Sequence, residues 1–104
     1  MRVYYYVGSQ IKKGSKPKDG SLEGVGQDLH IEGGGENIVL HDLESVELVQ
    51  TKDFGLLVRA EAATSTVWFN VPRFFRTPDG SSVAITNTAA TRRLAEMLQG
   101  DFVA

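Results

Sequence analysis

The sequence predicts a mainly β domain, an antiparallel barrel of about seven short strands capped by a single C-terminal α-helix. Three observations carry that prediction. Glycine falls as punctuation, 11 times in 104 residues, between short runs of alternating or β-branched residues. Helical periodicity appears only near the C-terminus. The length suits one hydrophobic core that needs neither disulfide nor metal, so residues 1–104 are expected to form a single domain.

Met1 to Ile11 is the first strand candidate, with Val3, Tyr5 and Val7 on one face and Arg2, Tyr4 and Tyr6 on the other. Lys12 to Gly20 reads as a loop, since lysine, glycine, serine and Pro17 interrupt any period. Ser21 to Gln27 and Asp28 to Gly33 read as consecutive strands, the second with Leu29 and Ile31 inward and His30 and Glu32 outward. Gly33, Gly34 and Gly35 make the next turn, because a tight reversal needs positive φ, which glycine adopts freely.

Glu36 to Leu43 and Glu44 to Gln50 follow, with a bend or bulge around Asp42 and Leu43. Phe54 to Ala62 and Thr64 to Val71 form the next pair, which Pro72 ends because proline cannot donate to a ladder. Thr77, Pro78, Asp79 and Gly80 are turn residues before a last strand, Ser82 to Thr86. The helix is expected from Thr88 to Gln99, capped by Asn87 or Thr88 and stopped by Gly100. Its apolar stripe would be Ala90, Leu94, Met97 and Leu98.

Composition narrows the function classes. The absence of cysteine removes disulfides, thiol catalysis and thiolate zinc sites. No apolar run is long enough to cross a bilayer and no signal peptide is visible, which predicts a cytoplasmic protein. A formal net charge of −2 argues against a dedicated nucleic-acid binder.

Seven strands followed by one amphipathic helix, with the segment Ile38-Val39-Leu40-His41-Asp42-Leu43-Glu44-Ser45-Val46, resembles the pleckstrin-homology-like (PH-like) superfamily, including its GRAM-like and bacterial members. The resemblance covers nearly the whole chain and implies two sheets wrapped into a barrel whose end is plugged by the helix, a role suited to Leu94, Met97 and Leu98. Two departures mark a distant relative. Phosphoinositide-binding members carry basic residues in the first loop and on the strand after it, whereas Leu22 to Gln27 contains Glu23 and no basic residue. The only tryptophan, Trp68, lies on a strand and not in the helix.

Two sets of candidate binding residues stand out. Lys12, Lys13, Lys16 and Lys18 cluster in one loop and are suited to anionic lipid headgroups, or simply to solvation. Tyr4, Tyr6, Trp68, Phe74 and Phe75 are candidate protein-interface residues, because exposed aromatics are favoured anchors, with Trp68 either outward beside Thr66 and Asn70 or packed under a loop or beside the helix. Arg73, Phe74, Phe75 and Arg76 read as a loop that either inserts its aromatics into a partner or membrane surface or caps the core at a barrel rim. His30 and His41 are expected to be surface residues and not metal ligands, and no cofactor is expected. Gly24-Val25-Gly26 has Leu29 where a dinucleotide fingerprint needs its third glycine, and no nucleophile elbow or zinc-helix motif occurs.

The expectation is therefore a non-catalytic adaptor that binds a protein partner or itself. Peripheral binding to an anionic membrane through the lysine loop is the alternative, and a small enzyme or ligand carrier with a polar cleft is the third. Self-association would use the first strand if that strand lies at an edge.

Overall fold

The computed structural model describes residues 1–103. Its elements are β1 (Arg2–Val7), β2 (Lys18–Val25), β3 (Asp28–Gly33), β4 (Glu36–Leu40), β5 (Ser45–Thr51), β6 (Gly55–Glu61), β7 (Thr66–Asn70), β8 (Pro72–Arg76), β9 (Ser82–Thr86) and α1 (Thr88–Asp101). Seven strands form one curled antiparallel sheet in the order β4-β3-β2-β1-β7-β6-β5, while β8 and β9 pair separately as a ribbon. This is the predicted class, a mainly β half-barrel capped by one C-terminal helix.

The sheet curls around its own apolar face. Strand alternation turns Val3 and Tyr5 of β1, Leu29 and Ile31 of β3, and Val67 and Phe69 of β7 to one side, where all are buried. Helix α1 covers β5 and β6 with Thr91, Leu94, Ala95 and Leu98, a buried stripe at i, i+3, i+4 and i+7. The bend expected near Asp42 is a full corner. Asp42 takes a left-handed φ of 51°, and the chain leaves β4 at one edge of the sheet to enter β5 at the other.

Tyr5 shows how closely the barrel packs. Gly20 and Gly33 face each other across β2 and β3. A Cβ on Gly33 would lie 2.4 Å from the Asp19 carbonyl, and one on Gly20 would lie 2.7 Å from the Tyr5 ring. The two missing side chains make room for that ring, whose hydroxyl donates to the Gly33 carbonyl at 3.0 Å and to Glu36 Oε1 at 3.2 Å. The hairpin beyond them turns on Gly34 and Gly35, both at positive φ, as a two-residue turn of type I′ requires.

Helix and ribbon meet at one knot of hydrogen bonds. Asn87 Oδ1 accepts from the Ala90 N–H at 3.1 Å and so caps α1. The Asn87 N–H donates to the Val71 carbonyl, and the Asn87 carbonyl accepts from both the N–H and the hydroxyl of Thr91. Buried Thr91 Oγ1 in turn accepts from the Val71 N–H at 3.1 Å.

Five expectations are corrected. β1 is shorter than Met1 to Ile11: the chain turns at Gly8, leaving Val7 47% exposed and not in the core. β1 lies in the middle of the sheet between β2 and β7, so it offers no free edge. Arg73 to Arg76 form the strand β8 and not a loop, because the turn residues from Thr77 fold β9 back onto them. Met97 is 46% exposed, since the stripe runs through Thr91 and Ala95 and leaves Met97 on its flank. Gly100 does not stop α1, which continues to Asp101 with Phe102 as C-cap. The Phe102 ring rests on Gly24, where a Cβ would approach it to 2.6 Å, and this docking offsets the roughly 1 kcal/mol that a helical glycine costs.

Candidate functional site

The outer face of the sheet carries the aromatic residues that the core does not use. Tyr6 of β1, Trp68 of β7 and Arg59 of β6 stand opposite one another across three neighbouring strands, so their side chains form one outward row. Trp68 is oriented by its Nε1–H, which donates to the Gly8 carbonyl at 2.9 Å. The Arg59 guanidinium lies 5.4 Å from the Trp68 ring centroid and is bridged to Glu61 at 2.6 Å.

The turn between β5 and β6 adds a fourth group. Thr51 Oγ1 accepts from the Phe54 N–H at 3.0 Å and donates to the Gly55 carbonyl at 2.6 Å, which holds Phe54 over the face. Its ring meets Tyr6 edge-on at 5.3 Å. Burial pushes the Tyr6 phenol above its ordinary pKa.

The ribbon closes the other side. Phe74 of β8 packs edge-on against Tyr4 at 6.2 Å, and the Arg2 guanidinium sits 4.5 Å from the Phe74 ring. Arg2 is itself held by two bonds to the Asp19 carboxylate, which lie at 3.0 and 2.6 Å and lower the Asp19 pKa. Asn70, opposite Tyr4, donates to Thr86 Oγ1 at 3.3 Å and ties the base of β9 to the sheet.

Between these walls runs a groove. Its main basin, about 390 Å³, lies over Trp68 and Arg59 between the Ser9–Ile11 loop and the Lys52–Phe54 turn. Asp53 and Phe54 carry it into a second basin of about 250 Å³ beside Tyr4, Tyr6, Ala84, Ile85 and Thr86. Gln10 and Ile11 carry it into a third, also about 250 Å³, bordered by Tyr6, Lys16 and Lys18. Aromatic faces make the floor and amines stand on the rim.

The structure thus brings together Tyr4, Tyr6, Trp68 and Phe74 from the predicted interface set. Phe75 is apart: it points to the far face of the ribbon, 42% exposed, with Arg73 5.2 Å from its ring. Lys16 and Lys18 border the groove, while Lys12 and Lys13 stand exposed on the loop beside it. Lys18 belongs to β2, and its ammonium is bridged to Glu36, lowering that carboxyl's pKa. His41 Nδ1 lies 3.0 Å from Asp28 Oδ1 on the surface, and no group of three or more His, Asp or Glu able to hold a metal occurs among the described residues.

Neither Arg59 nor Phe54 was among the candidates read from sequence. Arg59 was legible as an outward position by alternation with Val58 and Ala60. Phe54 had no such signal, because it looks like the first residue of a strand and its orientation depends on the Thr51 turn. Two of the charged groups around the groove are engaged in local pairs, Arg59 with Glu61 and Lys18 with Glu36, while Lys16, Lys52 and Asp53 have no ion pair among the described residues. Such a surface suits shape and apolar recognition. No protein-family model, curated protein or solved structure matches the chain.

Proposed function

We propose that this chain is a non-catalytic, PH-like adaptor domain of the cytoplasm whose working surface is the outer-face groove, and that the groove takes an extended segment of a protein partner. The observation that carries this reading is the convergence of Tyr4, Tyr6, Phe54 and Trp68, from two strands and a turn, on one groove that no other described element fills. Aromatic side chains fixed by hydrogen bonds and edge contacts lose little conformational freedom on binding, which is why such residues act as anchors. The long, shallow form of the groove fits an extended chain better than a compact metabolite.

Selection of displayed peptides on the immobilised domain tests the proposal, with affinities then read by isothermal titration calorimetry on the parent and its variants. Selected peptides are expected to bind with micromolar dissociation constants and to lose about tenfold or more in affinity on Tyr6→Ala or Trp68→Ala. Peptides that bind both variants as tightly as the parent, or a selection that yields none, would overturn the assignment of the groove.

A further inference from the structure

The fold leaves four strands at sheet edges: β4 and β5 in the curled sheet, and β8 and β9 in the ribbon. Exposed edges invite pairing unless charge, proline or a covering element blunts them. β4 carries Glu36, and β5 carries Glu47 and gives its Val46 carbonyl to Gln99 of the helix at 2.8 Å. β8 begins with Pro72 and carries Arg73 and Arg76. β9, Ser-Val-Ala-Ile-Thr, has neither charge nor proline, and Val83 and Ile85 are 44% and 47% exposed.

The direction of its free groups follows from the hairpin. Asn87 donates to the Val71 carbonyl and Thr77 to the Ser81 carbonyl, so the bonded pairs between them are Arg73 with Ile85 and Phe75 with Val83. Ser82, Ala84 and Thr86 therefore point their N–H and C=O groups away from β8. No hydrogen bond from another element reaches these backbone groups among the described residues. The open side borders the groove, whose basin beside Tyr4, Tyr6 and Phe54 is lined by Ala84, Ile85 and Thr86.

We propose that β9 is the pairing edge for β9 of a second copy, joined antiparallel about a two-fold axis through Ala84. This rests on the reading of the outer face as a protein-docking surface and names what docks first. The strand is self-complementary in that register. Ala84 exchanges both backbone bonds with Ala84 of the other copy, and Ser82 exchanges them with Thr86. Val83 then stands opposite Ile85 in the closer, non-bonded pairs, so apolar side chains meet across the seam with no charge to desolvate. The seam also brings the ribbon tip, with Arg76, to the end of the other copy's groove where Asp53 lies. Neither residue has an ion-pair partner within its own described chain. A two-fold pairing closes on itself and leaves no free β9 edge.

Light scattering and native mass spectrometry of the full chain, from micromolar to submillimolar concentration, test the pairing. A concentration-dependent dimer is expected. Ala84→Pro removes an outward N–H but no bond to β8, and should raise the dimer dissociation constant about tenfold or more without lowering the melting temperature of the monomer. Val83→Lys, a charge placed on the seam, should do the same, which guards against a fault confined to the proline variant. A monomer throughout the range overturns self-pairing, and peptides that then bind the monomer but not Ala84→Pro would show that the edge takes a foreign strand instead. A dimer that survives Ala84→Pro and is lost on Phe75→Ser would place the contact on the far face of the ribbon and equally overturn the edge pairing. Retention of Trp68-dependent peptide binding in any of these cases separates failure of this inference from failure of the groove.

Discussion

Phe69 and Phe75 belong to neighbouring segments of the chain, on strands β7 and β8, yet one is wholly buried and the other 42% exposed. The difference is what lies opposite. β7 sits in a sheet that curls until its apolar side faces other strands and the stripe of α1, so every inward residue gains a neighbour. β8 has only β9 beside it, and a two-stranded ribbon has no third layer to cover its second face. Similar local sequence produces a core in one place and a presented surface in the other. Residues that look interchangeable by hydrophobicity are thus divided between stability and recognition.

The sharpest way to break that division is in the helix stripe. Leu94→Ala or Leu98→Ala should each cost on the order of 2 to 5 kcal/mol in a urea or thermal melt, because both side chains are almost fully enclosed and the cavity cannot collapse from three sides. A loss below about 1 kcal/mol at both sites would mean that α1 is not part of the core. Gly33→Ala comes next, at roughly 1 to 3 kcal/mol, since the added methyl meets the Asp19 carbonyl and the Tyr5 ring, and backbone must move to accept it. An unchanged midpoint would refute the close approach of β1, β2 and β3 at Tyr5. The smallest effect belongs to the ribbon. Phe75→Ser should change monomer stability by no more than about 0.5 kcal/mol, as expected of an exposed position whose side chain supports no core neighbour. A loss as large as that at Leu98 would erase the distinction between the two regions.

Much of the half-barrel was legible in the sequence because its signals are local. Leu29 and Ile31 announce their face by alternation, Gly34 and Gly35 announce their turn by a dihedral that few other residues accept, and Asn87 announces the helix start by its capping oxygen. What was not legible depends on distant neighbours. Val7 continues the pattern of Val3 and Tyr5 perfectly well, and only the turn at Gly8 removes its cover. β8 was hidden because Pro72 ends one strand and starts the next within two residues, and pairing with Ser82–Thr86 cannot be inferred from Pro-Arg-Phe-Phe-Arg alone. The candidate site was half visible. Tyr4, Tyr6 and Trp68 were recognisable as outward aromatics, but their convergence with Phe54 and the identity of the free edge depend on strand order, which short-range patterns do not encode.

Asn87 and Thr91 give the ribbon a mechanical character. The base of the β8–β9 pair is anchored where Val71 meets Asn87 and Thr91, and Asn87 and Thr91 also form the first turn of α1. A tug on the ribbon along its length is therefore transmitted to the helix start through Asn87 as well as to β7 through Val71. The ribbon is geared to the element that covers the core, and whatever seizes it from outside pulls on the cover.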